Sequence, residues 1–135
     1  MQEFKLTHIV NSLLKDRHIY KTIPVKIKED NFFIINRLLS KEYPEQAQRF
    51  NKKTTDKSLA LDLWFLFLRH KDRNKILRWF WTKVPSNNKK ISDNDSKLLM
   101  NKFSIRKEDI DMLILYHIDF IEEEVKYIKE LKKNA

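Results

Sequence analysis

The chain has 135 residues, no cysteine, no glycine, three prolines and a formal net charge of +9. Without cysteine there is no disulfide, thiolate metal site or thiol nucleophile, a composition that suits a reducing compartment. Ordinary usage of about 7% would give roughly nine glycines. Their absence excludes a glycine-rich phosphate loop and a dinucleotide fingerprint, both of which need backbone close to phosphate.

Tight hairpin turns lose their preferred residue as well, and the abundance of Leu, Lys, Glu and Ile favours helix. The expected fold is therefore all-α, about six to eight helices. The expectation is one helical domain over 1–135, or an N-terminal helix with an extended connection (1–30) joined to a main body (31–135). The first residues lack a basic stretch followed by a sustained apolar core, so no signal peptide is expected. The longest apolar run, 63–68, is six residues, far short of the ~20 needed to span a bilayer.

In chain order, Leu6, Ile9, Val10, Leu13 and Leu14 recur at helical spacing and predict a helix over 3–15. Residues 20–29 carry Pro24 between β-branched neighbours and read as an extended connection. Asp30 and Asn31 suit an N-cap for the next helix. There Phe32, Ile34, Ile35, Leu38 and Leu39 cover a broad apolar face, while Asn36, Arg37 and Ser40 gather in a polar arc around Phe33. An aromatic ring flanked by an amide and a guanidinium is typical of a protein contact surface, so Phe33, Asn36 and Arg37 are the candidate partner-binding residues. An ordinary solvated helix edge gives the same pattern.

Pro44 opens a short helix to Phe50, and Asp56 caps the next, 57–69. That helix is apolar almost all round, with Asp62 the one acid inside it, so it must be enclosed by this domain or by a partner. Helix 72–83 and a loop to residue 91 follow. Ser92 and Asp95 form a capping-box pattern for a helix ending near residue 101, and Ser104 caps another to about residue 116. Asp119 starts the last helix, with Ile121, Val125, Ile128 and Leu131 as its buried stripe.

No catalytic constellation emerges. The four histidines are scattered without metal-ligand spacing, and no strand-turn-helix exposes a serine nucleophile. The pairs Asp93/Asp95 and Asp109/Asp111 read as helix-start charges. No cofactor, metal or catalytic residue is expected. The positive charge is localised: residues 69–90 hold eight basic groups against one acid, whereas 91–135 hold eight against ten. Lys71, Lys75 and Arg78 fall at i, i+4 and i+7 in one stripe, with Ile76, Leu77, Trp79 and Phe80 assigned to the opposite, core-facing side. Lys83, Lys89 and Lys90 add charge beyond. Such a row can follow a phosphate backbone, so Lys71, Lys75, Arg78, Lys89 and Lys90 are the candidate DNA-phosphate contacts. A solvated basic face is the simpler alternative, and the neighbouring tryptophans suit either base stacking or the core.

Taken together, the chain resembles the small subunit of the sliding-clamp loader of T-even-type bacteriophages. The resemblance runs from Leu6-Thr7 and Asn11-Ser12 through Phe33-Ile34-Ile35-Asn36-Arg37-Leu38-Leu39-Ser40, its strongest part, to Tyr43-Pro44. It continues with Leu63-Trp64-Phe65-Leu66, a basic cluster at Arg69, Lys71, Arg73 and Lys75, a tryptophan at Trp79 or Trp81, Asn101-Lys102-Phe103-Ser104, and the final helix from Ile121 to Leu131. It departs from the family where Asp72 and Asn74 interrupt the basic cluster and where Phe103 replaces glycine. That replacement would leave Asn101 or Lys102 to end its helix in the left-handed conformation. The family's glycine-rich tail is also missing.

The resemblance implies a collar-like helical fold and a non-catalytic subunit that completes a ring of AAA+ clamp-loader ATPase subunits. It implies three partners (the ATPase subunits, the sliding clamp and primer-template DNA), a role in DNA replication and residence in the cytoplasm of the infected bacterial host. A free-standing helical phage DNA-binding regulator, or a host-protein adaptor, is the alternative.

Overall fold

The structure, a computed structural model, describes residues 5–81, 91–103 and 105–133. Among these residues there are nine helices and no strand: α1 (Leu6–Leu14), α2 (Arg17–Tyr20), α3 (Val25–Leu39), α4 (Pro44–Phe50), α5 (Lys57–Leu68), α6 (Arg73–Phe80), α7 (Asp93–Phe103), α8 (Lys107–Tyr116) and α9 (Ile118–Lys133). The protein is all-α. It divides into two compact units, Met1–Trp79 and Phe80–Ala135, so the boundary falls at the end of α6 and not near residue 30.

In the first unit α5 is the centre, with α1, α3 and α4 all packed on it. This explains its nearly all-round apolarity: Ala60, Leu61, Trp64 and Leu68 are buried, Trp64 completely. Asp56 caps it as expected, accepting from the Ser58 amide at 2.8 Å and the Leu59 amide at 3.3 Å. One strip stays outside. Leu59 and Leu66 lie seven residues apart on the same face and are 55% and 53% exposed.

The segment 20–29 is not an extended connection. Tyr20 closes the short helix α2, and α3 begins at Val25 with Pro24 as its N-cap. Pro24 has the extended backbone of a cap, its missing N–H is not needed there, and its carbonyl accepts from the Lys28 amide at 3.1 Å. Asp30 and Asn31 accordingly lie inside α3. Helix α1 packs on α5 inside the first unit.

Asn36 corrects the sequence reading most. It was assigned to a polar arc, yet it is 5% exposed. Its Oδ1 accepts from the Trp64 indole N–H at 2.8 Å, and its Nδ2 donates to the Ala47 carbonyl at 3.2 Å. An indole can only donate and a carbonyl can only accept, which fixes the orientation of the amide. One side chain of α3 thereby ties α5 and α4. Around Trp64, Phe50 and Phe67 stand edge-on at centroid separations of 5.0 and 5.8 Å, and Tyr43 stands edge-on to Phe67 at 5.1 Å.

Arg17 ties the other side of the unit. Its guanidinium donates to the carbonyls of Leu13 and Phe65, in the last turns of α1 and α5, where helices leave acceptors unsatisfied. It also lies 3.9 Å from the Phe65 ring centre, and Tyr20 stacks on the same ring at 4.2 Å. The Tyr20 hydroxyl donates to Asp62, which is paired with Lys28 at 3.1 Å.

In the second unit α7, α8 and α9 each pack on the other two. Ser92 accepts from the Asp95 amide at 3.1 Å, the N-cap half of the expected capping box, while the Asp95 carboxylate pairs with Lys129 at 3.3 Å. Asp109 accepts from the Arg106 amide at 3.3 Å, which puts Arg106 at the start of α8; Ser104 lies outside the described residues. Helix α7 continues through Asn101 and Lys102 to Phe103, so neither of the first two ends it in the left-handed conformation. Lys102 instead pairs with the buried Glu124 at 2.8 Å. Ile121, Val125 and Ile128 are buried as expected, but Leu131, in the last turn of α9, is exposed. Phe80 packs against His117 at 4.3 Å. No described helix is long and apolar enough to cross a membrane.

Replacing Asn36 by Leu leaves the Trp64 indole N–H buried without its partner, while the Ala47 carbonyl keeps the Asn51 amide as donor, at a cost of about 1–3 kcal/mol in urea unfolding. Adding Trp64→Phe removes that orphan, so the double variant should lose at least ~1 kcal/mol less than the sum of the single losses. Strict additivity would rule out the coupling.

Tyr20 gives a pH prediction. Burial first, then the Asp62 hydrogen bond and its negative charge, hold the phenol protonated well above the usual tyrosine range. The folded pKa is raised, so the contribution is complete below about pH 10 and declines above it, as the unfolded chain ionises first. The stability advantage of the native chain over Tyr20→Phe should therefore be constant from pH 7 to 9 and shrink at pH 10–11. An advantage that grows with pH would contradict this.

Candidate nucleic-acid interface

The basic segment begins where α5 ends. Lys71, in the turn before α6, places its ammonium 4.7 Å from the Phe67 ring centre and 5.5 Å from that of Tyr43. Both rings belong to the aromatic cluster around Trp64, so a surface cation rests on the packed core, an arrangement worth about 0.5–1 kcal/mol at an exposed site. Asp72 caps α6 by accepting from the amides of Asn74 at 3.1 Å and Lys75 at 3.3 Å. Helix α6 then carries Lys75 and Arg78 outward, both exposed, while Ile76 and Phe80 are buried.

Trp79 departs from the sequence assignment. It is half-buried and lies one turn beyond Lys75, at i+4 and therefore on the same side of α6. Leu77, assigned to the core with it, is only half-buried as well. Trp79 joins Tyr43, Lys71, Lys75 and the buried Ile76 in lining a groove of about 410 Å³, whose remaining walls are Glu42 and Asp72. Burial and the adjacent Glu42 carboxylate hold the Tyr43 phenol protonated above its usual range.

The structure thus brings Lys71 and Lys75 together in one groove, with Arg78 one turn along the same helix. Lys89 and Lys90 lie outside the described residues, as does Lys83. The spacing from Lys75 to Trp79 was the signal available for the tryptophan. Nothing in the sequence placed Tyr43, more than thirty residues away, on the facing wall.

The second candidate surface is the outer face of α3. Phe33 is 50% exposed, and Arg37 follows it one turn on. The Lys57 ammonium lies 5.1 Å from the Phe33 ring centre, and a Lys26–Asp30 ion pair at 3.1 Å continues the face. Asn36 is not part of this surface, because its amide is occupied between α4 and α5.

A larger groove, about 720 Å³, lies in the second unit between the start of α7 and one side of α9. Its floor includes Ile91, Ile118 and Val125, and the Asp95–Lys129 ion pair at 3.3 Å stands at its rim. Lys126, Lys129 and Lys133 of α9 line it together with Asp95, Glu122 and Glu130, so its charges balance, and no aromatic side chain is among its walls. Among the described residues, no group of three or more His, Asp or Glu side chains is placed to hold a metal ion. Three of the carboxylates singled out in the sequence have structural partners: Asp95 pairs with Lys129 at 3.3 Å, Asp109 accepts from the Arg106 amide at the start of α8, and Asp111 pairs with Lys107 at 3.4 Å.

Compared with known protein families, curated proteins and solved structures, the chain finds no match in any of the three.

The exposure of Phe33 separates a surface role from a core role. Phe33→Ala should cost less than about 1 kcal/mol in thermal or urea unfolding, whereas Phe32→Ala, at a fully buried position, should cost about 3–5 kcal/mol. Equal losses would place Phe33 in the core.

Proposed function

We propose that the protein is a non-catalytic, DNA-contacting accessory subunit of a phage clamp loader, one that works beside AAA+ ATPase subunits during DNA replication. The observation that carries its nucleic-acid half is the groove that joins Lys71 and Lys75 to Tyr43 and Trp79, in the segment holding most of the net positive charge. Lysines and an arginine supply sequence-independent attraction to phosphate, while aromatic walls supply affinity for bases.

The clamp-loader half rests on the resemblance through Phe33 to Ser40 and along the rest of the chain. Two surface features support a protein partner: Phe33 and Arg37 on α3, and the exposed Leu59/Leu66 strip of α5. The lack of glycine fits a subunit that leaves ATP binding to its neighbours. In this reading Phe33 and Arg37 face the ATPase subunits or the sliding clamp, and Lys71, Lys75 and Arg78 face primer-template DNA.

Co-expression with an AAA+ ATPase and a sliding clamp encoded alongside it, followed by gel filtration, tests this. The expected result is one stable complex whose DNA- and clamp-stimulated ATP hydrolysis requires this chain. Failure to co-elute with the ATPase overturns the loader assignment and leaves a free-standing DNA-binding regulator. Changing Lys71, Lys75 and Arg78 together to Gln should weaken DNA binding and lower the slope of log affinity against log salt by up to about 2.7, at about 0.9 per phosphate contact. An unchanged slope would remove these residues from the DNA contact and favour a protein-binding adaptor.

A further inference from the structure

We infer that the groove of α6 takes an unpaired base, so that the protein distinguishes single-stranded from duplex DNA. This rests on the nucleic-acid reading above and deepens it. The lining of the groove is the reason. It holds two cations, Lys71 and Lys75, but also two carboxylates, Glu42 and Asp72. A phosphate placed inside would face both signs and gain little, whereas a neutral base suffers no such opposition. Lys75, which lines the groove and is exposed, stands at its edge, and Arg78 follows three residues on along α6, so phosphates flanking an inserted base meet cations at the rim.

The walls suit the base itself. Trp79 is half-buried and lies at i+4 from Lys75, Tyr43 stands in the lining with its phenol protonated, and the buried Ile76 belongs to the same lining. The volume of about 410 Å³ accepts one base with its sugar. In duplex DNA the faces of the bases are covered by their neighbours, so a duplex can reach Lys71, Lys75 and Arg78 only through its phosphates. A single strand reaches the same cations and also the aromatic walls, and each stacked base adds affinity that does not depend on its identity.

The test uses the intact full-length chain and three fluorescently labelled probes at the same moderate salt. They are a twelve-nucleotide oligothymidylate, a twelve-base-pair duplex, and a twelve-unit abasic strand with the same phosphates and no bases. Anisotropy titration should give affinity for oligothymidylate at least five-fold higher than for the abasic strand, within the range expected for stacking of one or two bases. The duplex, held through its phosphates alone, should bind Trp79→Leu as tightly as the native chain, whereas the same substitution should remove the preference for oligothymidylate over the abasic strand; equal losses for duplex and oligothymidylate overturn the inference. Trp79→Phe, which keeps a ring, should retain most of the preference but lose the fluorescence quenching that oligothymidylate produces in the native chain; this arm holds even if the Leu variant fails to fold. Equal affinity for oligothymidylate and the abasic strand overturns the inference while leaving a phosphate-binding surface in place. No binding to any probe at low salt overturns the nucleic-acid reading together with it.

Discussion

The buried amide of Asn36 is the constraint on which the first unit depends. It satisfies the indole N–H of a fully enclosed Trp64 and a carbonyl of α4 at the same time. No apolar residue of similar size does either, and a rotated amide would set donor against donor. The orientation of α3 relative to α4 and α5 is therefore specified by hydrogen bonds as well as by packing. Its consequences extend to the surface. Tyr43, at the N-cap of α4, leans on Phe67, and the two rings support Lys71. A wall of the basic groove is thus positioned by a contact inside the unit.

Charge and aromatic surface are arranged to different ends on the two exposed faces of this unit. On α3, Phe33 stands out between cations and a local ion pair, a composition suited to a protein partner. Along α6 the cations line up beside a concavity with aromatic walls, a composition suited to a flexible polyanion carrying flat bases. The carboxylate of Asp72 looks at first like an interruption of the basic row. Its role is local: it caps α6, whose next turns carry Lys75, Arg78 and Trp79. The second unit is held differently, by three mutually packed helices and the pairing of Lys102 with the buried Glu124.

Much of the fold was legible because local signals agreed with one another. Pro44 at the first turn of α4, Asp56 before α5 and Ser92 with Asp95 before α7 all act as their residue types dictate. The errors came where one residue has two meanings. Pro24 was read as a helix breaker when it is a helix starter, because β-branched neighbours favour either reading. Asn36 was read as polar and hence outward, although it stands at i+4 from Phe32 and i−3 from Leu39, on the face those residues bury. A helical wheel gives direction but not what lies across from it, and only the partner, Trp64, explains an inward amide. The same limit applied to Trp79, grouped with Ile76 although its spacing from Lys75 placed it beside the cations. The groove was the least legible feature, since it joins Glu42 and Tyr43 to residues 71–79 through tertiary packing alone.

In the proposed function the first unit meets nucleic acid along the groove lined by Tyr43 and α6. Amide hydrogen exchange of the full-length chain, with and without saturating oligothymidylate, addresses it without any substitution. New protection is expected over residues 42–44 and 71–79, with α7 to α9 unchanged. Protection confined to α7, α8 and α9, with residues 71–79 unaffected, would contradict it.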